Sequence, residues 1–394
     1  MFLKNFLLAL FVFTIGFLTA FFFLNQSTQR SSPKILKNIA SSLGIRKHEV
    51  IGFLPYWLID KADKDYTKYI TTLTYFGLTL NGNGTIQKLT SPIEEEPGWY
   101  SLRTGRFDQF RDQAKKNNVE LSLLVFSADE ETIANLISHP ASHAANLVNE
   151  VSPIMKEHGF LDLNLDIESF APYASESARE NFAAFVKEVT IRIKEQNLGT
   201  VTIDVSPTDL VKTRLVDLTR IKPWIDNVVL MTYDYHYLGS YVTGAVAPIG
   251  GAGIDAEFDV ETGIQKAVEI LPKEKIFLGL PLYGYEWETV SQQPRSAVLP
   301  ASGLVISHRR AEELLKTCAT CSALIEENSR ESYVVYEDEV TGTFHQIFFP
   351  DQRFLQEKIK LANLYEIAGV ALWAIGYEGN NILEPLNDYK NTLE

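Results

Sequence analysis

"GFLDLNLDIESF", Gly159 to Phe170, alternates with a period of two. Leu161, Leu163, Leu165 and Ile167 hold one parity, and Asp162, Asn164, Asp166 and Glu168 hold the other. An extended strand sends successive side chains to opposite faces, so this one carries an apolar strip backed by a row of polar groups. Two environments accept such a strand: an antiparallel sheet with one wet face, or a covered sheet in which the acids serve a site. The flanking sequence decides between them.

Short apolar runs recur on both sides: "VIGFLPYW" from Val50, "ITTLTYFGLTL" from Ile70, "ELSLLVFS" from Glu120, "TVTIDVSP" from Thr200, "NVVLMTYD" from Asn227, "KIFLGLPLYG" from Lys275 and "GVALWAIG" from Gly369. With "FLDLNLDIES" from Phe160 they make eight. Amphipathic helical patterns separate several of them, over Thr104 to Asn117, Ser177 to Gln196, Asp259 to Leu271 and Asp351 to Tyr365. Strand, helix, strand, repeated, gives a parallel sheet, and eight such strands favour a closed (β/α)8 TIM barrel over a doubly wound open sheet. No glycine-rich phosphate fingerprint follows the first strand, so a dinucleotide fold has little support. The rhythm breaks between Tyr283 and Asp351, where "SHRRAEELLK" reads as a helix and two β-rich runs flank "DEVTG" as a hairpin. A small α+β insertion over 287–347, after the seventh strand, is the expectation.

Both faces of a parallel barrel strand are covered, so the polar row is costly unless it is used. Asp166 and Glu168 come last, at the C-terminal end of the strand, where barrel enzymes keep their catalytic groups. Two same-face carboxyls two residues apart lie about 7 Å apart by strand rise, within the range of about 5 to 9.5 Å that glycosidases use. Desolvation and like-charge pressure from Asp166 would keep Glu168 protonated as an acid.

Of the 394 residues, 45% are apolar and 22% charged, enough for a sizeable core. The net charge of -14 argues against nucleic acid or an anionic membrane surface as partner, and a neutral substrate fits better. Phe6 to Leu24 is uncharged, almost wholly apolar and long enough to span a bilayer. It reads as an uncleaved transmembrane helix, making 1–24 an anchor with its short flank, 25–47 a linker and 48–394 the barrel. Lys4 precedes the span while Arg30, Lys34 and Lys37 follow it, which by the positive-inside rule leans towards a cytoplasmic body. Cys318 and Cys321 form a disulfide if the body is exported and are free thiols if it is cytosolic; they are too few for a zinc site.

"LNLDIE" resembles the core of the glycoside hydrolase family 18 signature, D-x-x-D-x-D-x-E. Glu168 and Asp166 fill its last two acidic positions, while Asn164 and Leu161 stand where the pattern has Asp. "MTYDYH" from Met231, "GLPLYGYEW" from Gly279, "GVALWAIG" from Gly369 and "VIGFLPYW" resemble the family's sixth, seventh, eighth and first strands, so the likeness runs from Glu49 to Tyr389. It implies retaining, substrate-assisted hydrolysis of β-1,4 bonds next to N-acetylglucosamine, in chitin-type oligosaccharides or peptidoglycan glycan strands. In that scheme Glu168 is the acid, Asp166 holds the substrate's acetamido group and Tyr233 fixes its carbonyl. Asp234 binds a sugar hydroxyl, Trp373 is a stacking floor, and Asn164, Tyr283 and Tyr56 complete the substrate-binding set.

No metal or organic cofactor is called for, no obligate protein partner is evident, and His236 is expected to be structural. The alternatives are a non-catalytic carbohydrate-binding protein on the same barrel, disfavoured because both Asp166 and Glu168 are kept, and a scaffold that binds protein through the insertion. The implied substrates lie mainly outside the cytoplasmic membrane, so the body is expected to be extracytoplasmic, against the Lys/Arg count. The neutral Asn164 carries one further expectation: without a second carboxylate beside it, Asp166 should stay ionised to lower pH.

Overall fold

The computed structural model describes residues 48–319, 321–338 and 340–392. The apolar stretch Phe6 to Leu24 lies outside them, and among the described residues no helix is long and apolar enough to cross a membrane. Glu49–Lys390 form one compact unit; a second takes in Met1–His48 and Asn391–Glu394, nearly all of it outside the described residues.

The eight apolar runs become eight parallel strands in a closed ring. They are β1 (Glu49–Pro55), β2 (Thr72–Thr79), β3 (Glu120–Ser127), β4 (Asp162–Ile167), β5 (Thr200–Val205), β6 (Asn227–Leu230), β7 (Ile276–Pro281) and, after the insertion, β13 (Gly369–Trp373), which pairs with both β7 and β1. Closure removes the open sheet as an alternative. Outward-facing Leu163, Leu165 and Ile167 join the main core between strands and helices. Inward-facing Ile51, Phe53, Phe76, Leu124, Val229, Phe277 and Ala371 fill the barrel itself.

The helix that follows β4, Glu176–Glu195, shows why the pattern folds as it does. Its Phe182, Phe185, Val186, Val189 and Ile193 recur at helical spacing and are buried, and Ser175 caps it by accepting the Ala178 N–H. Two helices between β3 and β4, Glu130–Ser138 and Pro140–His158, add to those expected; the second keeps Pro153 inside it.

"KIFLGLPLYG" is divided in the structure. Its first part is β7, and from Tyr283 the chain enters a separate antiparallel sheet. In that sheet β8 (Tyr283–Thr289) lies between β9 (Leu304–Ser307) and β12 (Phe344–Phe349), with β11 (Ser332–Glu337) and β10 (Leu324–Ile325) beyond. Pro281 has no N–H for a ladder, and the Leu282 N–H turns to the Trp373 carbonyl at 2.7 Å. A Cβ on Gly284 would lie 2.0 Å from the Phe348 carbonyl, so only glycine lets β12 approach there. "SHRRAEELLK" is the helix His308–Thr317, and the hairpin about "DEVTG" is β11 with β12. Cys318 and Cys321 are joined in a disulfide.

At the base of the polar row, Asp162 is a structural acid. It accepts hydroxyls from Ser122 on β3 at 2.7 Å and from Thr200 and Thr202 on β5 at 2.5 and 2.9 Å, tying three strands together. Burial pushes its pKa up to about 6 against the pull of those hydroxyls. Asp162→Ala is expected to lower the urea-unfolding free energy by about 3 kcal/mol, since buried donors lose their acceptor. A loss under about 1 kcal/mol would mean that the hydroxyls find other partners.

Candidate active site

The C-terminal ends of the strands enclose a cavity of about 320 Å³, at the small end of the range for ligand sites. Tyr56 and Trp57 after β1, Phe76 on β2, Phe126 on β3, and Asp166 and Glu168 on and just past β4 line it together with Asp204, Met231, Tyr233, Asp234 and Trp373. Of the eight residues proposed from sequence, six meet here. Asn164 and Tyr283 lie behind the cavity wall.

Asp166 is 4% exposed, on the inner face of β4, and its Oδ1 is buried without a hydrogen-bond partner. Glu168 continues the ladder, its N–H donating to the Ser127 carbonyl at 2.9 Å, and its side chain is partly open to the cavity. Burial, with Asp234 and Asp209 adding negative charge, pushes its pKa up to about 7. Burial first, then Glu168, then Asp204 hold the Asp166 carboxyl well above the usual range.

The expectation drawn from Asn164 assumed that no second carboxyl stands beside Asp166. The amide does remove an acid from β4, but the neighbouring strand supplies one. Asn164 Nδ2 donates to Asp204 Oδ1 at 3.0 Å, and Asp204 stands beside Asp166. Asn164 is thus a support for Asp204 and not a cavity-lining group.

Past β6 the chain bends sharply at Asp234, whose φ of +59° is left-handed. That bend sends Tyr233 and Asp234 into the recess. Protein surrounds Tyr233, and with Asp204, Asp166, Glu168 and Asp234 nearby its pKa rises well above the ordinary phenol value. The hydroxyl is therefore a donor at any physiological pH. Asp234 faces the open recess, and its Oδ1 accepts the hydroxyls of Tyr283 and, at 2.7 Å, of Tyr285. Tyr283 is buried behind it and holds Asp234 in place. Trp373 lies at the end of β13, its ring edge-on to Phe53 and Phe76 with centroids 5.8 and 4.9 Å apart.

His236 is buried, with Nδ1 2.9 Å from the Ala245 carbonyl, and burial lowers its pKa, so it packs as a neutral ring. Three supports escaped the sequence reading. Trp57 adds a second indole to the wall, 6.4 Å from Trp373. Lys358 reaches from the helix Gln352–Leu364 to donate to the Thr232 carbonyl at 2.9 Å, next to Tyr233. Glu331 of the insertion accepts the N–H groups of Val246 and Ala247 at 3.1 and 2.9 Å, fixing the loop that follows Asp234. Trp57 closes the quoted "VIGFLPYW" run beside Tyr56, whereas no local motif marks Lys358 or Glu331, since each acts through a contact distant in sequence.

A raised carboxyl beside a second, deeper one, at the mouth of a parallel barrel with aromatic walls, is the layout of a glycosidase. The particular family follows from comparison: the chain belongs to glycosyl hydrolases family 18, whose family model matches residues 48–378. The cortical fragment-lytic enzyme of Bacillus subtilis (strain 168) is 23% identical over 329 residues, covering 81% of this chain and 67% of that protein. The crystal structure of the spore cortex-lytic enzyme SleL of Bacillus megaterium QM B1551 matches with a TM-score of 0.68 at 21% identity, over 87% of this chain and 74% of that one. The Group IV chitinase of Ostrinia furnacalis in complex with allosamidin matches at 0.73 and 18% identity, over 86% of this chain and 98% of that one. At such identities the two structural matches establish a shared fold.

Proposed function

We propose that this protein hydrolyses β-1,4 bonds next to N-acetylglucosamine, in chitin-type oligosaccharides or peptidoglycan glycan strands, by a substrate-assisted retaining route. Glu168 gives its proton to the glycosidic oxygen as the C1–O bond breaks. The substrate's acetamido carbonyl oxygen bonds to C1, forming an oxazolinium ion. Water then attacks C1 as the bond from C1 to the acetamido oxygen breaks and the acetamido group is restored, and the Glu168 carboxylate takes the proton that the water gives up.

The remaining residues answer the needs of that intermediate. Asp166, ionised as the reaction proceeds, accepts the acetamido N–H and stabilises the positive charge. Tyr233 donates to the acetamido carbonyl and holds it in line for attack. Asp234 binds a sugar hydroxyl from its tyrosine clamp, while Trp373 and Tyr56 provide apolar surface for the ring. One observation carries this reading: Glu168, its pKa near 7, shares a cavity with Asp166 and the neutral donor Tyr233.

Mass spectrometry of products tests it. The full chain is expected to release fragments ending in a reducing N-acetylglucosamine from a chitooligosaccharide or from peptidoglycan. Intact substrate in both arms would refute the reading. Such substrates place the body outside the cytoplasmic membrane with Phe6 to Leu24 as its anchor. Digestion by protease added to intact cells checks that topology, and resistance until lysis would contradict it.

A further inference from the structure

The polar row on β4 has a counterpart on β5. Strand β5 alternates as β4 does, with Val201, Ile203 and Val205 in the outer core and Thr202 and Asp204 on the inner face. The two strands are parallel, with Asn164 paired to Thr202 and Leu165 to Ile203. One step further along that register sets Asp166 beside Asp204, on strands about 4.8 Å apart. Both carboxyls are nearly sealed, at 4% and 5% exposure, and Asn164, at 1%, fixes Asp204 by the hydrogen bond from its amide.

We propose that Asp204 is a positioning residue for the reaction: it supplies from β5 the second carboxyl beside Asp166 and takes up the proton that Asp166 must release to act as an anion. The inference rests on the role of Asp166 given above. Two carboxyls side by side in a closed site cannot both ionise easily, so the resting pair retains one proton. When positive charge develops on the substrate next to Asp166, the anion is favoured there and the proton resides on Asp204. No other bond changes, and the charge of the pair stays constant.

The surroundings allow this exchange. Facing the pair are Asp162 and Glu168 on and after β4, and Tyr233 and Asp234 after β6; Asp209, past β5, acts on Glu168. These are acids and one neutral phenol, with no cation among them to hold a second negative charge on the pair. Asp166 Oδ1, buried without a partner, is an acceptor that a shared proton or the substrate N–H would satisfy.

Asp204→Asn is the informative change, because asparagine keeps an acceptor for the Asn164 amide while removing the carboxyl. In the full chain, hydrolysis of a chitooligosaccharide is followed across pH for the wild type, Asp204→Asn, Asn164→Asp/Asp204→Asn and Asp204→Ala. The expectation for Asp204→Asn is kcat about tenfold lower, KM within about twofold, and an acidic limb displaced downward by about one pH unit, since one like charge is gone. The double variant, which returns the carboxyl to β4, is expected to recover most of kcat and to move the limb back up.

A limb that stays in place in a folded Asp204→Asn, or a double variant no better than the single one, would overturn the proposal. Carboxyl ¹³C NMR of labelled aspartate, read without any substrate, separates this outcome from a failure of the functional reading. Asp166 should titrate lower in Asp204→Asn even if no glycan is cut, and an unchanged titration there counts against Asp204 alone.

Discussion

Glu168→Gln lowers kcat by about 10²- to 10⁴-fold, the share a positioned general acid contributes, with KM little changed. The glutamine keeps the shape and the backbone N–H to Ser127, so the circular dichroism spectrum should match the wild type. What disappears is a proton held at neutral pH for the leaving oxygen. Without it the sugar departs as an alkoxide, which neither Asp166 nor Tyr233 can offset: the first is an anion when it acts, and the second is directed at the acetamido group. Asp234, clamped by Tyr283 and Tyr285, cannot swing into the vacated place. Cleavage that continued undiminished in Glu168→Gln would remove Glu168 from the role, whatever the family.

The contrast between β4 and β5 shows how much of this site was legible in sequence. Alternation of apolar and polar residues in "LDLNLDIE" marked a strand with a used inner face, and the structure places that face inside the barrel. All eight strands were visible for the same reason, because strands covered on both sides leave runs of apolar residues that few other elements produce. "TVTIDVSP" carries the same alternation with a single acid, and one acid alone does not separate Asp204 from an ordinary polar residue. Its meaning comes from register with β4, which sequence periodicity does not contain. The helix Pro140–His158 lay outside the marked helical patterns; in it Pro140 sits at the start, where proline is tolerated, and Pro153 is absorbed within. The family resemblance put Tyr283 in the substrate-binding set. The split of "KIFLGLPLYG" after Pro281 instead turns it beneath Asp234, a consequence of the insertion's own sheet.

The kcat/KM profile is expected to fall on its alkaline side with a midpoint near pH 7, losing about tenfold per unit above it, because kcat/KM reports the free enzyme's essential acid. In the proposed mechanism Glu168 is that acid, and burial first, then Asp234 and Asp209, push its pKa up to about 7. Asp234→Asn should therefore bring the midpoint down, even as it weakens substrate binding, whereas a structural role for Asp234 would change rate without moving the limb. The sign on stability is opposite to that of an ordinary surface carboxylate. A folded-state pKa above the unfolded value of about 4.3 means that the proton favours the fold. The contribution is complete below the unfolded value and is lost as pH rises through about 7. Glu168→Gln is therefore expected to gain on the wild type in thermal midpoint at pH 8 while falling level with it or below at pH 4, so the catalytically dead variant is the sturdier protein where the enzyme is least active. A kinetic midpoint near 5, with no crossing of the two stability curves, would mean that water reaches Glu168 freely. The acid would then require substrate to raise its pKa, and closure around the glycan would have to supply the desolvation that the resting barrel does not.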